Sequence, residues 1–175
     1  MNTATPRTAP PLPRAPLTAI SAVRPARPED AAALAALSQP FVHSGALRRR
    51  PVSLYAAHAA DFLVAEGPDG ALEGCLALRV HAADAEEGGR GPAGVVYNFC
   101  VARHRQGSGL GGRLLRAVLV RARAQSVGSL FTATVGSGSL FLRHGFAPAG
   151  VRLAPAAWAT SLDPRRNARV LARTL

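Results

Sequence analysis

Gln106-Gly-Ser-Gly-Leu-Gly-Gly112 stands between two apolar runs, Val95-Val-Tyr-Asn-Phe-Cys-Val101 before it and Leu114-Leu-Arg-Ala-Val-Leu-Val120 after it. The order reads as strand, glycine turn, helix. Glycine lets a backbone come close to a ligand and aim several N–H groups into one space. A helix starting there adds its own unbonded N–H groups and the positive end of its dipole. The stretch is therefore an anion cradle, suited above all to a pyrophosphate. Which ligand carries that pyrophosphate decides the function.

Context separates the cradles this stretch could be. Gly107-x-Gly109-x-x-Gly112 spells the dinucleotide fingerprint, which needs an acidic residue about 20 positions later to hold a ribose. The next acid after Gly112 is Asp163, far too late. A P-loop needs Gly-Lys-Ser/Thr, and the chain has no lysine, all 21 basic residues being arginine. A third cradle fits. Val101-Ala-Arg-His-Arg-Gln-Gly-Ser-Gly-Leu-Gly111 resembles the acetyl-CoA loop of the GNAT N-acetyltransferases, with Gln106, Gly109 and Gly111 at the family's spacing. Leu140-Phe-Leu-Arg-His-Gly-Phe146 resembles the family's second signature, a short helix ending in Gly-Phe.

The resemblance implies an α/β (α+β) GNAT fold, a mixed central sheet flanked by helices, with acetyl-CoA as co-substrate and no metal. It implies that Gln106, Gly107, Ser108, Gly109, Leu110, Gly111 and Gly112 hold the CoA pyrophosphate. Phe99, Cys100 and Val101 would lie along the pantetheine arm, on a strand that splays from its neighbour. An N–H near Cys100 or Val101 would polarise the thioester carbonyl, as in an oxyanion hole. Phe141 belongs to the same region and stands where many members carry a tyrosine that protonates the leaving thiolate.

The rest of the chain reads in agreement. Ala19–Val23 is a short strand candidate. Pro28-Glu-Asp30 opens a helix to about Ser38, ended by Pro40. Val52–Ala60 is a second helix, and Asp61–Glu66 and Leu72–His81 are strands joined by the turn Gly67-Pro-Asp-Gly70. Residues 82–94, rich in Asp, Glu and Gly, read as a mobile surface loop. Then come a strand over 95–102, a helix over 109–126, a strand over 130–135 and a short helix over 139–144 capped by Gly145. Strands over 146–153 and 169–175 close the chain. Residues 1–17, rich in Pro and Arg, read as a disordered arm, and 18–175 as one domain.

Further segments are similar to one branch of the family, the N-acetylglutamate synthases that open arginine biosynthesis. These are Gly45-Ala-Leu-Arg-Arg-Arg50, the hairpin Asp61-Phe-Leu-Val-Ala-Glu66 with Gly74-Cys-Leu-Ala-Leu78, and Arg166-Asn-Ala-Arg-Val-Leu171. The similarity implies an acidic amine acceptor, glutamate or its like. Arginine grips a carboxylate bidentately, so Arg49 or Arg50 together with Arg166 would hold the two carboxylates. The alternative for Arg48–Arg50 is a solvated charge run, and for Arg166 a surface arginine. The chain departs from the branch at Ala168, where a serine is usual, and at Val95, where the branch carries a glutamate that is its candidate base. Glu66 and Tyr97 are the remaining base candidates. Asn98 should face opposite to Tyr97 on a strand, so one of the two should line the amine pocket. His104, beside the loop, suits a phosphate-side contact or solvent.

Composition bounds the partners. The net charge is +11, which fits a biased composition, an acidic ligand or nucleic acid. The arginines are dispersed, and only six Phe, two Tyr and one Trp could stack on bases, so an acidic ligand is favoured over nucleic acid, and the resemblance makes the partner a small-molecule amine. No run approaches the roughly 18 apolar residues of a membrane span. Cys75 and Cys100 read as buried free thiols, without the spaced partners of a disulfide framework or zinc site. A cytoplasmic setting fits, and a homodimer is left open.

Overall fold

The computed structural model describes residues 20–83 and 91–175. Seven strands form one sheet in the order β1-β2-β3-β4-β5-β7-β6. β1 (Ala22–Pro25), β2 (Phe62–Glu66), β3 (Leu72–His81) and β4 (Ala93–Val101) pair antiparallel in succession. β5 (Ser129–Thr134) joins β4 in parallel, β7 (Arg169–Thr174) runs antiparallel to β5, and β6 (Ala147–Pro148) forms the far edge. The helices are α1 (Ala31–His43), α2 (Val52–Ala57), α3 (Leu110–Ala124), α4 (Ser139–Arg143) and α5 (Ala156–Thr160).

Both faces of the sheet are covered, which is why β2 and β3 read as continuous apolar runs rather than alternating ones. On one face, α3 lays down the stripe Leu110, Leu114, Leu115, Val118 and Leu119 against Leu63, Ala65, Leu76, Leu78 and Val96. On the other face, Leu34 of α1 and Tyr55 of α2 pack with Phe62, Val64, Cys75, Ala77 and Cys100. Successive residues of β2 thus go to opposite cores, as strand alternation requires. Each fully buried leucine contributes about 1.5–3 kcal/mol.

Four expectations change. Helix α1 runs through Pro40 to His43 instead of stopping before it. The proline forfeits one backbone bond, but the extra turn brings Phe41 onto the α1–α2 cluster. β1 sits at Ala22–Pro25 rather than 19–23, and a proline is tolerable there because β1 is an edge strand. The strand expected over 146–153 shrinks to Ala147–Pro148. Its pairing ends at the bond from Ala149 N–H to Val170 O, and a 3-10 turn and α5 follow. Trp158 holds α5 against Phe131, ring centroids 6.5 Å apart. Finally, Ala93 and Gly94 belong to β4, so the acidic loop is shorter than 82–94. Its residues 84–90, like the arm at 1–17, lie outside the described residues.

Candidate active site

β4 and β5 pair only at Ala93–Ser129, Gly94–Leu130 and Val95–Phe131. β4 continues to Val101 along β3, while among the described residues its other edge has no ladder partner beyond Val95. The two strands splay, and a cleft opens between them. Phe99 and Phe141 meet edge to face at 5.7 Å, and Phe141 meets Phe146 at 5.3 Å. Phe141 is buried in this apolar cluster.

The glycine loop lies at the end of β4. Gly107 and Gly109 have φ of 78° and 84°, the left-handed region glycine enters without steric cost. Gly109 is the N-cap of α3. The N–H groups of Gly107, Gly109, Leu110, Gly111 and Gly112 meet no acceptor among the described residues. A Cβ at Gly107 or Gly109 would have nothing within 4 Å, so both face open space. Gln106 and Ser108 shape the loop from within. Gln106 Nε2 donates to Val101 O at 3.1 Å, and Ser108 Oγ donates to Arg105 O at 2.6 Å. Gly111 is needed for close packing, since a Cβ there would lie 3.1 Å from Leu140 and Phe99. Convergent N–H donors at a helix N-terminus fit a pyrophosphate. His104 is exposed to solvent, one of the two places expected for it, and lies 3.7 Å from Glu73, a buried carboxylate of β3.

A cavity of about 420 Å³ opens at the splay. Val95, Val96, Tyr97 and Asn98 of β4 wall one side, with Ala133 of β5, Trp158 of α5 and Ala168 opposite. Arg48, Arg50, Arg79 and Arg166 line it. Arg79 is paired with Asp61 at 2.9 Å. The others are held by neutral groups. Arg48 donates to Ser161 O at 2.7 Å, and Arg50 to Asn98 Oδ1 at 2.9 Å. Arg166 donates to Gly45 O and Ala46 O at 2.7 and 2.9 Å. Among the described residues, none of these three guanidinium groups has a carboxylate partner. Arg49, expected as a carboxylate ligand, is exposed and outside the wall, and its neighbours Arg48 and Arg50 face inward instead.

Tyr97 and Asn98 both line the cavity, against the expectation that only one would. The cause is a β-bulge. Cys75 pairs with Cys100 and Ala77 with Tyr97, so Asn98 and Phe99 together oppose Leu76. Asn98 takes φ of 48°, a left-handed conformation that asparagine tolerates better than most residues. Its buried amide is fully engaged. Oδ1 accepts from Arg50 and, at 3.3 Å, from Tyr55 OH, and Nδ2 donates to Ser38 Oγ at 3.0 Å. Behind it Cys75 and Cys100 are free and buried. The hydrogen bond to Cys100 and burial push the Cys75 thiol up, as suits core packing.

The two base candidates fare differently. Glu66 is ion-paired with Arg24 at 2.5 Å and does not line the cavity. Phe62, at the other end of the same strand, does, and four residues of strand span about 13 Å. Glu66 is therefore too remote to take a proton there. Tyr97 does line the cavity, but its O–H donates to Asp61 Oδ2 at 2.6 Å. Burial first, and then Asp61, push the phenol well above its ordinary range, so at neutral pH it is a proton donor and not a phenolate. The sequence reading missed Asp61, Arg79, His58, His81 and Trp158. Alternation along β3 carries a signal for two of them, because Arg79 and His81 are two apart and share a face. Burial first, and then Arg79, push the His81 imidazole down, which keeps it neutral near pH 7.

A cradle of N–H donors beside a splayed pair of strands is the arrangement of a CoA-dependent acyltransferase. The pattern of an acetyltransferase (GNAT) domain matches residues 58–148, and the chain belongs to the GNAT acetyltransferase family, whose co-substrate is acetyl-CoA. An amino-acid acetyltransferase of Pseudomonas putida (strain GB-1) is 32% identical over 153 residues, 87% of this chain and 34% of that protein. The N-acetylglutamate synthase from Neisseria gonorrhoeae, solved with coenzyme A and N-acetyl-glutamate, superposes with a TM-score of 0.78 at 29% identity, covering 90% of this chain and 35% of that one. The protein Rv2747 from Mycobacterium tuberculosis, solved with CoA, gives a TM-score of 0.70 over 88% of this chain and 99% of its own. At 21% identity that likeness is one of fold. The chain spans about a third of the length of the curated relatives it matches. No described helix is long and apolar enough to cross a membrane.

Proposed function

We propose that the chain transfers the acetyl group of acetyl-CoA directly to the α-amine of L-glutamate or a similar acidic amino acid, a step of cytoplasmic arginine biosynthesis. One observation carries the acceptor. Arg48, Arg50 and Arg166 bring three positive charges to one cavity, and among the described residues none has a carboxylate partner. A dicarboxylate supplies what they lack. The names of the relatives support the same acceptor.

The roles of the residues follow from their chemistry. The N–H groups of Gly107, Gly109, Leu110, Gly111 and Gly112 hold the pyrophosphate, and the edge of β4 beyond Val95 leads the thioester towards the cavity. Charge-assisted hydrogen bonds, each about 1.5–3 kcal/mol, anchor the carboxylates on Arg50 and Arg166. The same positive field disfavours the ammonium form of the acceptor and eases its deprotonation. The amine then attacks the thioester carbon. Phe141 has no proton to give the leaving thiolate, so that proton comes from the attacking nitrogen itself. Val95 and Phe141 also favour a second reading, a module that binds acyl-CoA without turnover.

The test is CoA release with a panel of amines. Release with glutamate, and none with spermidine or peptides, is expected. Acetyl-CoA binding without turnover on any amine would establish the second reading.

A further inference from the structure

The acceptor amine must lose a proton, yet Val95 in the cavity wall is apolar and Glu66 is remote. We infer that Tyr97 and Asp61 act as a pair, Tyr97 touching the amine and Asp61 receiving its proton through the phenol. The inference rests on the acetyltransferase reading above.

Three observations carry it. Of the two phenols in the cavity wall, Tyr55 donates to Asn98 Oδ1, while Tyr97 has a carboxylate, Asp61, behind it and outside that wall. The O–H of Tyr97 already donates to Asp61 Oδ2 at 2.6 Å. The proton route from cavity to carboxylate is thus assembled before any ligand arrives. The pair is also held rigidly. Arg79 donates to the same Oδ2 through Nε and Nη2, at 3.1 and 2.9 Å, and to the phenol oxygen at 3.3 Å. The guanidinium groups of Arg50 and Arg79 lie 5.2 and 5.3 Å from the centre of the Tyr97 ring. The charged and titratable groups around Tyr97 are Asp61 from the turn before β2, Arg79 and His81 from β3, Arg50 from the loop after α1, and His58 after α2; Arg48, Tyr55, Arg166 and Asp163, whose Oδ1 accepts from the Arg165 N–H, line the same cavity.

The step balances. The phenol oxygen takes one proton from the ammonium as its own O–H proton passes to Asp61 Oδ2. The nitrogen lone pair then forms the C–N bond, the C–S bond breaks, and the thiolate takes a second proton from the nitrogen. Asp61 returns its proton to water. Tyr97 is the catalytic residue, and Asp61, acting through it, is a positioning residue and proton store.

Y97F and D61N test the pair. Y97F is the gentler change, because it leaves the Asp61–Arg79 ion pair intact. Both variants should lower kcat with glutamate by about 100-fold or more, with the KM for acetyl-CoA little changed. Wild type should hold its kcat/KM across neutral pH. In the variants kcat/KM should climb about tenfold per pH unit from roughly pH 7 to 9, as free amine replaces the missing base. A second readout needs no substrate. The chain has two tyrosines, and Y97F identifies which ultraviolet titration is that of Tyr97. In D61N that titration should move down relative to wild type. Wild type that acetylates glutamate while both variants stay within about threefold, with its pH profile, overturns the inference and leaves the functional reading standing. So does a Tyr97 titration that D61N does not move. Wild type inactive on every amine overturns both.

Discussion

Gly109→Ala separates the ligand cradle from ordinary backbone strain. Gly109 has φ of 84° and open space where a Cβ would stand. An L-residue in that conformation costs about 1–2 kcal/mol. For a chain of this size, each kcal/mol lowers Tm by roughly 2–4 °C, so a fall of about 2–8 °C is expected. Gly70 provides the control. Its φ is 81°, and a Cβ there also meets nothing within 4 Å, but it lies in the β2–β3 turn. Gly70→Ala should lower Tm by the same amount. Only Gly109→Ala sets a methyl group where the N–H donors of the loop converge. Losing one hydrogen bond to a charged oxygen costs about 1.5–3 kcal/mol, which weakens binding by roughly 10- to 150-fold. Circular-dichroism melts and calorimetric titration with acetyl-CoA read the two effects separately. If Gly109→Ala binds acetyl-CoA as tightly as Gly70→Ala does, the loop is not the pyrophosphate cradle.

The other expectations concern the cavity. Arg50→Ala and Arg166→Ala should each raise the KM for glutamate by about 10- to 100-fold and leave the KM for acetyl-CoA near wild type. Arg49→Ala, removing an exposed side chain outside the wall, should change neither. His81 gives a pH dependence whose sign follows from its depressed folded pKa. The unfolded chain takes up a proton near pH 6.5 and the folded one only at lower pH. Stability therefore falls as the pH drops below about 6.5, and is unaffected above it. Melts from pH 7 to about 5.5 should show a smaller loss of Tm for His81→Gln than for wild type.

What is local in this chain could be read from the sequence. The stripe Leu110, Leu114, Leu115, Val118 and Leu119 repeats at helical spacing, β3 runs over Leu72–His81 as its composition suggests, and Gly145 takes φ of 79° where a helix cap needs it. What depends on register could not. The bulge that turns both Tyr97 and Asn98 into the cavity arises from a slip between β3 and β4, which alternation within β4 alone does not encode. The contact of Tyr97 with Asp61 joins residues 36 positions apart across β3. Helix α5 is only five residues long and owes its place to Trp158 on Phe131 rather than to any amphipathic pattern. The choice of Arg48 and Arg50 over Arg49 depends on how the loop after α1 meets Ser161 and Asn98.

The central claim is that three arginines with no carboxylate partner among the described residues make the cavity a dicarboxylate site, and glutamine tests it most directly. Glutamine keeps the size and the α-amine of glutamate and replaces one carboxylate with a neutral amide. Comparing kcat/KM for the two amino acids by CoA release, with acetyl-CoA saturating, isolates that charge. Loss of a charged hydrogen bond worth about 1.5–3 kcal/mol should leave glutamine about 10- to 150-fold poorer than glutamate. Equal or faster transfer to glutamine would contradict the assignment of Arg48, Arg50 and Arg166 to a dicarboxylate acceptor.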